Sequence, residues 1–482
     1  LVRNSLQFMQ ARYIFILLAL PIFILLPAAC TPSGPARPAG FVDAPQCESF
    51  YNQFPDKQEI NLKKVAKEQH ICLQRAVEER ANYDLVIAEF DDEGWYQGED
   101  RNAHPTRDFM DHFIARLNHY QQQYQQQGIS LVVYVHGWTH NAAANDSNVR
   151  NFRALLNTIA EAEGANGRRT IGVYIGWRGD AISLPGIEML SFWNRMSAAE
   201  RVAQGSVREL FSWLHAWRDS GRNEAGERKI RMLVIGHSFG GLIAWRAMSG
   251  EFLRAASRYS NALSADSCEQ RKFLSRYGDL LVLVNPAFEG SIYEPIKVAA
   301  ERLKCLSRYQ FPLVLTITSS ADLATGIAFP LGRLAPTLLR KVSDQQRLAT
   351  LKTVGHNSRY TTHKLSLCAQ DDLSCLRVCN SPGTLLQRES QRMTEIVQRG
   401  IHRHEYLCSR LELVATPQWR PEMNPFWVIQ TSHDISRDHN DIFNPKLMSF
   451  VRQMYIGLID ITEKEAKKAS NNHVVITSAT EN

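Results

Sequence analysis

The sequence predicts an α/β fold: a mostly parallel central sheet flanked by helices, with a large insertion, an inserted subdomain or lid, before the last strand. Three observations predict it. Short runs rich in Val, Ile and Leu recur along the chain without polar alternation, as strands buried on both faces require. Helical stretches lie between most of them, and such alternation implies a parallel sheet covered on both sides. About a hundred residues then separate the last two strand candidates, far more than a connection needs.

The elements follow in order. Residues 58–82 carry a charged, helix-like pattern. Asp84–Phe90 reads as the first strand and turns at Asp91-Asp92-Glu93-Gly94. Later strands are expected at Ser130–Val135, Thr170–Ile175, Ile230–Ile235, Asp279–Val284, Leu313–Thr318 and Phe426–Gln430. Between them, Val207, Leu210, Phe211, Leu214 and Trp217 form an apolar helical stripe. No internal repeat is present, and the glutamine-rich patch Gln121–Gln127 suggests no role.

Composition narrows the class. The 482 residues are 44% hydrophobic and 22% charged, an ordinary globular balance with ample core-forming material. Net charge is +6, and leaving out Arg3 and Arg12 makes it +4, with no basic stripe interleaved with aromatics. Nucleic acid is therefore not an expected partner.

The first forty residues read as an address. Arg12 precedes fourteen uncharged residues, Tyr13–Leu26, followed by Pro27-Ala28-Ala29-Cys30. The run is short for a spanning helix and fits a signal-peptide core. Small residues ending at a cysteine resemble the lipobox of bacterial lipoproteins, which implies lipidation at Cys30. Pro27 departs from that motif's usual leucine, and an uncleaved anchor helix is the alternative. Either reading puts the body in the cell envelope, tethered to a membrane and facing the periplasm or exterior.

Thr31–Gly40, with three prolines and two glycines, reads as a stiff tether. The expected division is 1–29 signal peptide, 30–57 lipidated cysteine and tether, and 58–322 the first part of the core. An inserted subdomain or lid, 323–424, precedes the last strand and helix at 425–462 and a polar tail at 463–482. Without Cys30, eight cysteines remain, an even number available for pairing in an oxidising compartment. The expected pairs are Cys47 with Cys72 and Cys268 with Cys305, leaving four in 323–424 to pair among themselves; buried free thiols are the alternative.

The most informative motif is Gly236-His237-Ser238-Phe239-Gly240, a G-x-S-x-G pentapeptide. A β-branched run, Ile230–Ile235, precedes it and a helix-favouring run, Leu242–Met248, follows. A strand that turns at once into a helix forces a strained bend and projects the serine from its apex. Glycines 236 and 240 let strand and helix approach closely. The Phe239 amide then opens a helix, where unpaired N–H groups favour an oxyanion. Ser238 is thereby read as a nucleophile rather than a turn residue between two core elements.

From about residue 84 to 460, outside the insertion, the chain resembles the α/β-hydrolases. The elbow carries the resemblance, together with Val133-Tyr134-Val135-His136-Gly137-Trp138, which is similar to that fold's His-Gly oxyanion loop. The resemblance implies a triad in the chain order serine, acid, histidine. Asp322, just after the strand ending near Thr318, is the expected acid, although an Asx turn or helix cap is a common use of such an aspartate. Glu289 after the preceding strand is the rival acid. His439, at a loop-to-helix junction after the last strand, is the expected base, with His433 as the alternative. Phe239 and Trp138 would supply the oxyanion amides, while His136 and His237 would shape their loops by hydrogen bonding.

The implied activity is a serine esterase or lipase acting on an ester, thioester or lipid acyl bond through an acyl-enzyme, with no cofactor. A non-catalytic envelope binding or scaffold protein on the same fold is the alternative. Trp177, Phe192 and Trp193 are expected in the core or pocket wall. His402-Arg403-His404-Glu405 lacks further spaced ligands, so no metal is expected.

Overall fold

A computed structural model describes residues 34–97, 105–164, 167–179, 188–221, 229–262, 273–307, 309–337, 341–417, 419 and 424–458. The leader, Cys30, Cys268 and the tail lie outside the described residues. Eleven strands form one sheet: β1 (Val77–Glu79), β2 (Tyr83–Phe90), β3 (Ile129–Val135), β4 (Arg169–Trp177), β5 (Ile230–His237), β6 (Leu280–Val284), β7 (Val314–Ser319), β8 (His363–Leu367), β9 (His404–Leu407), β10 (Leu411–Ala415) and β11 (Phe426–Thr431). Their order is β1-β2-β4-β3-β5-β6-β7-β11-β8-β10-β9. Pairing is parallel from β2 through β8 and antiparallel where β1, β10 and β9 join. This is the helix-flanked, mostly parallel sheet of the α/β class.

Alternate strand residues feed two cores. Leu131 and Val133 of β3 join helices 105–123, 188–204, 207–220 and 239–262 on one face. Val132 and Tyr134 join helices 147–164, 385–399 and 445–458 on the other. Both faces are dry, which is why these strands read as unbroken apolar runs.

Three expectations need correction. The charged stretch 58–82 forms two short 3-10 helices, Leu62–Lys64 and Lys67–Leu73, followed by β1. Its helix-like spacing is overridden by the Cys47–Cys72 disulfide and a small apolar cluster around Phe50, Tyr51 and Ile60.

Second, the tether is not free from residue 36 onward. The amides of Ala36 and Arg37 donate to the Glu89 carboxylate. The buried Arg37 guanidinium reaches Glu78 and the carbonyls of Leu73, Arg75 and Ala142. Buried donors need partners, and this arginine finds them in the body.

Third, 323–424 divides in two. Its first part, including helices Phe329–Thr337 and Asp344–Leu351, lies next to the candidate site. Its second part adds β8, β10 and β9 beyond β11 and carries the disulfides Cys368–Cys375 and Cys379–Cys408. Cys305 is also disulfide-bonded. Among the described residues no helix is long and apolar enough to cross a membrane.

The N-terminal edge is pinned by Glu78, which is fully buried against Arg37 (2.9 Å), Arg153 (2.6 Å) and Arg80 (3.7 Å). Burial alone would raise its carboxyl, but Arg153, Arg37 and Arg80 hold it far below the usual range. Such a depressed carboxyl contributes stability at neutral pH that is lost only as pH falls through its folded value. Glu78→Ala removes the shared counter-charge of Arg37 and Arg153, while Arg80 keeps Asp56 at 3.4 Å. It should lower unfolding free energy by about 3–5 kcal/mol, read as a fall in the urea midpoint; an unchanged midpoint would show that the cluster does not hold this edge.

Candidate active site

Strand β5 runs to His237, and the helix Phe239–Ala262 begins two residues later. Ser238 makes the reversal with φ +54°, a left-handed conformation that costs energy for a residue with a side chain. Its surroundings hold it there: its amide donates to Val284 O at 3.1 Å, and its carbonyl accepts from Ala287 N at 3.1 Å. A Cβ on Gly240 would lie 2.2 Å from Val135 O and 2.4 Å from His136 O, so only glycine lets the helix pass the end of β3. A Cβ on Gly137 would come 2.9 Å from Ser238 Cβ, so the Gly137-Trp138 backbone crosses directly beside the serine. Phe239 N opens its helix, where first-turn amides have no partner within the helix.

The structure brings Ser238, His439 and Asp322 together. Ser238 Oγ lies 2.9 Å from His439 Nε2, and His439 Nδ1 lies 2.9 Å from Asp322 Oδ2. Ser238 is 2% exposed and Asp322 1%. Burial would raise the Asp322 carboxyl, but His439 and two donors from Thr325, its amide and its hydroxyl, hold it below the usual aspartate value. Thr325 Oγ1 also lies 3.1 Å from His356 Nε2. With the threonine proton directed at Asp322, that nitrogen is the donor.

The rival residues stand elsewhere. Glu289 stands just before the helix Gly290–Glu301, and its side chain pairs with Arg333 at 2.6 Å. His433 is exposed in the loop after β11.

The histidine loop is tied at several points that sequence spacing does not reveal. Asn285, at φ +45° after β6, donates to His439 O at 3.0 Å while its Oδ1 accepts from Ser319 N. His237 Nε2 donates to the same His439 carbonyl at 2.9 Å. Ser319 Oγ donates to Ser436 O at 2.6 Å. The only sequence signal was that 285 and 319 sit at strand ends.

His136 is fully buried: Nδ1 donates to Gly137 O, Nε2 accepts from Trp177 N, and its carbonyl accepts from Trp177 Nε1. Burial pushes its pKa down to about 4, so it stays a neutral strut of the His-Gly loop. Trp138, Phe192, Trp193, Phe239 and Phe329 form one aromatic wall, with Phe192 4.8 Å from Phe239 and 5.5 Å from Trp138. Glu405 is taken by Arg399 and Arg392, and His404 by Glu412. Among the described residues no cluster of three or more His, Cys, Asp or Glu is placed to hold a metal ion.

No family model and no curated relative matches the chain. Among solved structures, the chain is similar to phospholipase PlaB from Legionella pneumophila in complex with thio-NAD. Identity is 12% and the TM-score 0.24, over 71% of this chain. The chain spans 64% of that structure's length, just under two thirds. The reading of the site therefore rests on its own geometry.

Thr325→Val keeps the volume and the amide donor but removes the hydroxyl donor to Asp322. Loss of a hydrogen bond to a buried carboxylate costs about 1.5–3 kcal/mol. The Asp322 carboxyl should titrate higher than in the parent. The stability it supplies above its unfolded-state pKa should then be lost at a higher pH as the solution is acidified. Carboxyl carbon NMR titration reads the shift, and an unmoved Asp322 resonance would remove Thr325 from the site.

Proposed function

We propose that this chain is a serine hydrolase that cleaves carboxylic ester, thioester or lipid acyl bonds. One observation carries the reading: Ser238, His439 and Asp322 are joined by two 2.9 Å contacts at a strained strand-to-helix turn. A serine hydroxyl needs an adjacent base, the base needs an orienting carboxylate, and the oxyanion needs preorganised donors.

His439 Nε2 takes the Ser238 proton as Oγ attacks the acyl carbon, and Asp322 holds the imidazole with its Nδ1–H directed at the carboxylate. The carbonyl oxygen becomes an oxyanion beside the amides of Phe239 and Trp138. Collapse expels the alcohol or thiol, which takes the proton from His439 and leaves an acyl ester on Ser238. Water then attacks that ester as His439 accepts its proton, and the acid leaves with Ser238 reprotonated. Lipidation at Cys30 and an envelope location belong to the same proposal. The disulfides are in keeping with an oxidising compartment.

The test is labelling of the full chain with a fluorophosphonate, since Arg37 is part of the folded body. The parent should label, and Ser238→Ala should not, while unfolding like the parent. His439→Ala should lose turnover of a soluble ester by a factor on the order of 10⁶, as removal of the base does in other triads. Asp322→Asn should lose on the order of 10⁴. A folded parent that takes no label would favour the binding-protein reading instead.

A further inference from the structure

The segment after Asp322 has the wrong outside for a protein surface. Leu323, Ile327, Leu331 and Leu334 are 66%, 55%, 59% and 42% exposed. Leu323 and Ile327 sit at the start of and within the π-helical turn Ala324–Ala328. On the α-helix Phe329–Thr337 that continues it, Leu331 and Leu334 lie about 60° apart at about 100° per residue. The opposite face is also apolar and is packed: Phe329 is buried against Trp193 and Phe192. A Cβ on Gly332 would meet the Trp193 ring at 2.1 Å. A helix on a soluble surface keeps polar residues outward, and one apolar all round has a second apolar neighbour.

Charge says which neighbour. Arg333 is the only charged residue from 323 to 337, and it turns inward to Glu289 at 2.6 Å. That ion pair clamps the helix Phe329–Thr337 to the body and leaves its outward face without charge. The helix Asp344–Leu351 packs beside it and continues the apolar surface with Leu348, 47% exposed. Residues 341–352, which form and flank this helix, carry exposed Lys341 and Lys352 and half-buried Arg347 against the single acid Asp344. An apolar face with a basic rim fits an interface of acyl chains below anionic headgroups.

The site lies immediately behind this face. Leu323 follows Asp322, and Thr325 hydrogen-bonds it. The buried side of the helix stacks on the aromatics that reach Phe239 and Trp138.

We infer that Leu323, Ile327, Leu331 and Leu334 form a docking face for an anionic lipid surface, which presents acyl substrate to the Ser238 site. The inference deepens the proposed function by naming a lipid aggregate as the substrate's form, and its first test is independent of turnover. The face sinks to the depth of the first acyl carbons, about 5–10 Å below the headgroups. The basic rim stays among the phosphates.

The test uses the full chain carrying an environment-sensitive fluorophore on Leu331→Cys. A control label on Thr158→Cys sits exposed on the helix Ser147–Gly164, across the sheet. Vesicles are phosphatidylcholine with or without phosphatidylglycerol, each with and without spin-labelled acyl chains. The 331 label should shift to the blue and be quenched by the acyl spin labels, more strongly with phosphatidylglycerol, while the 158 label stays unchanged. The inference is overturned if the 331 label stays in water while the protein sediments with vesicles, because the leader alone would then carry binding. It is equally overturned if the label is already shielded without lipid: a concentration-dependent shift assigns the face to a second copy, and a concentration-independent one to the chain itself.

A second variant, Ile327→Asp with Leu331→Asp, should lose at least ~tenfold in vesicle hydrolysis, the equivalent of ~1.4 kcal/mol, and keep fluorophosphonate labelling. Undiminished vesicle hydrolysis with normal labelling overturns the docking role. Absent labelling in parent and variant alike refutes the hydrolase reading instead, while the quenching result still decides the docking face.

Discussion

Everything at the site depends on one steric constraint, the closeness of the helix Phe239–Ala262 to the ends of β3 and β5. Gly240 faces the carbonyls of Val135 and His136 at distances no Cβ tolerates, so the helix axis is set by backbone contact rather than by adjustable side chains. The strand must therefore reverse within a single residue, and Ser238 takes the positive φ that results. Strain of that kind survives only where neighbours over-determine it. Here β6 and the loop after it do so, through Val284 O and the amide of Ala287. One point in space is thus fixed by three parallel strands and a helix, and the Ser238 hydroxyl and Phe239 amide both belong to it.

The placement of Asp322 and His439 depends on a second constraint, the in-register parallel pairing of β7 and β11. Ser319 stands opposite Thr431, so the two strands end level and their loops start side by side. Asp322 comes three residues beyond one end and His439 eight beyond the other. That difference leaves the longer loop free to wander unless it is tied. Asn285, His237 and Ser319 tie it, all through backbone carbonyls of residues 436 and 439. The ties hold the backbone, which leaves the His439 ring free to meet Ser238 on one side and Asp322 on the other.

Each part of this was legible in the sequence to a different degree. Seven of the eight parallel strands were visible because both faces of each are dry, and the elbow because strand, glycines and helix-forming residues are contiguous there. Asp322 and His439 could be placed only by chain order after strands, a positional argument that the hydrogen bonds now give a geometry. Strands β8, β9 and β10 were not visible. They lie toward the sheet's edge, where Lys364, His404 and Val414 face solvent, so the doubly buried pattern fails. Arg37 was misread for a related reason: its Pro- and Gly-rich context signals an extended chain, but nothing local signals that Glu78 and Glu89 lie opposite. Asn285 and His356 act across long sequence separations, which no spacing rule reaches, whereas Thr325 acts on Asp322 from only three residues away.

The histidines around the site show how charge is kept where the chemistry would need it. Burial holds His136 and His237 below the ordinary histidine range, and His356 likewise. His237 lies with its ring 4.9 Å from that of His439. Were it cationic, it would oppose the imidazolium that the proposed reaction would form on His439. Kept neutral, with Nε2–H spent on the His439 carbonyl, it supports the loop at no electrostatic cost. The negative charge of Asp322 is therefore paired directly with His439, at 2.9 Å. The Thr325 donors keep that carboxylate ionised without adding a competing cation. The same burial that makes an unpaired charge expensive thus selects a single pair to carry it.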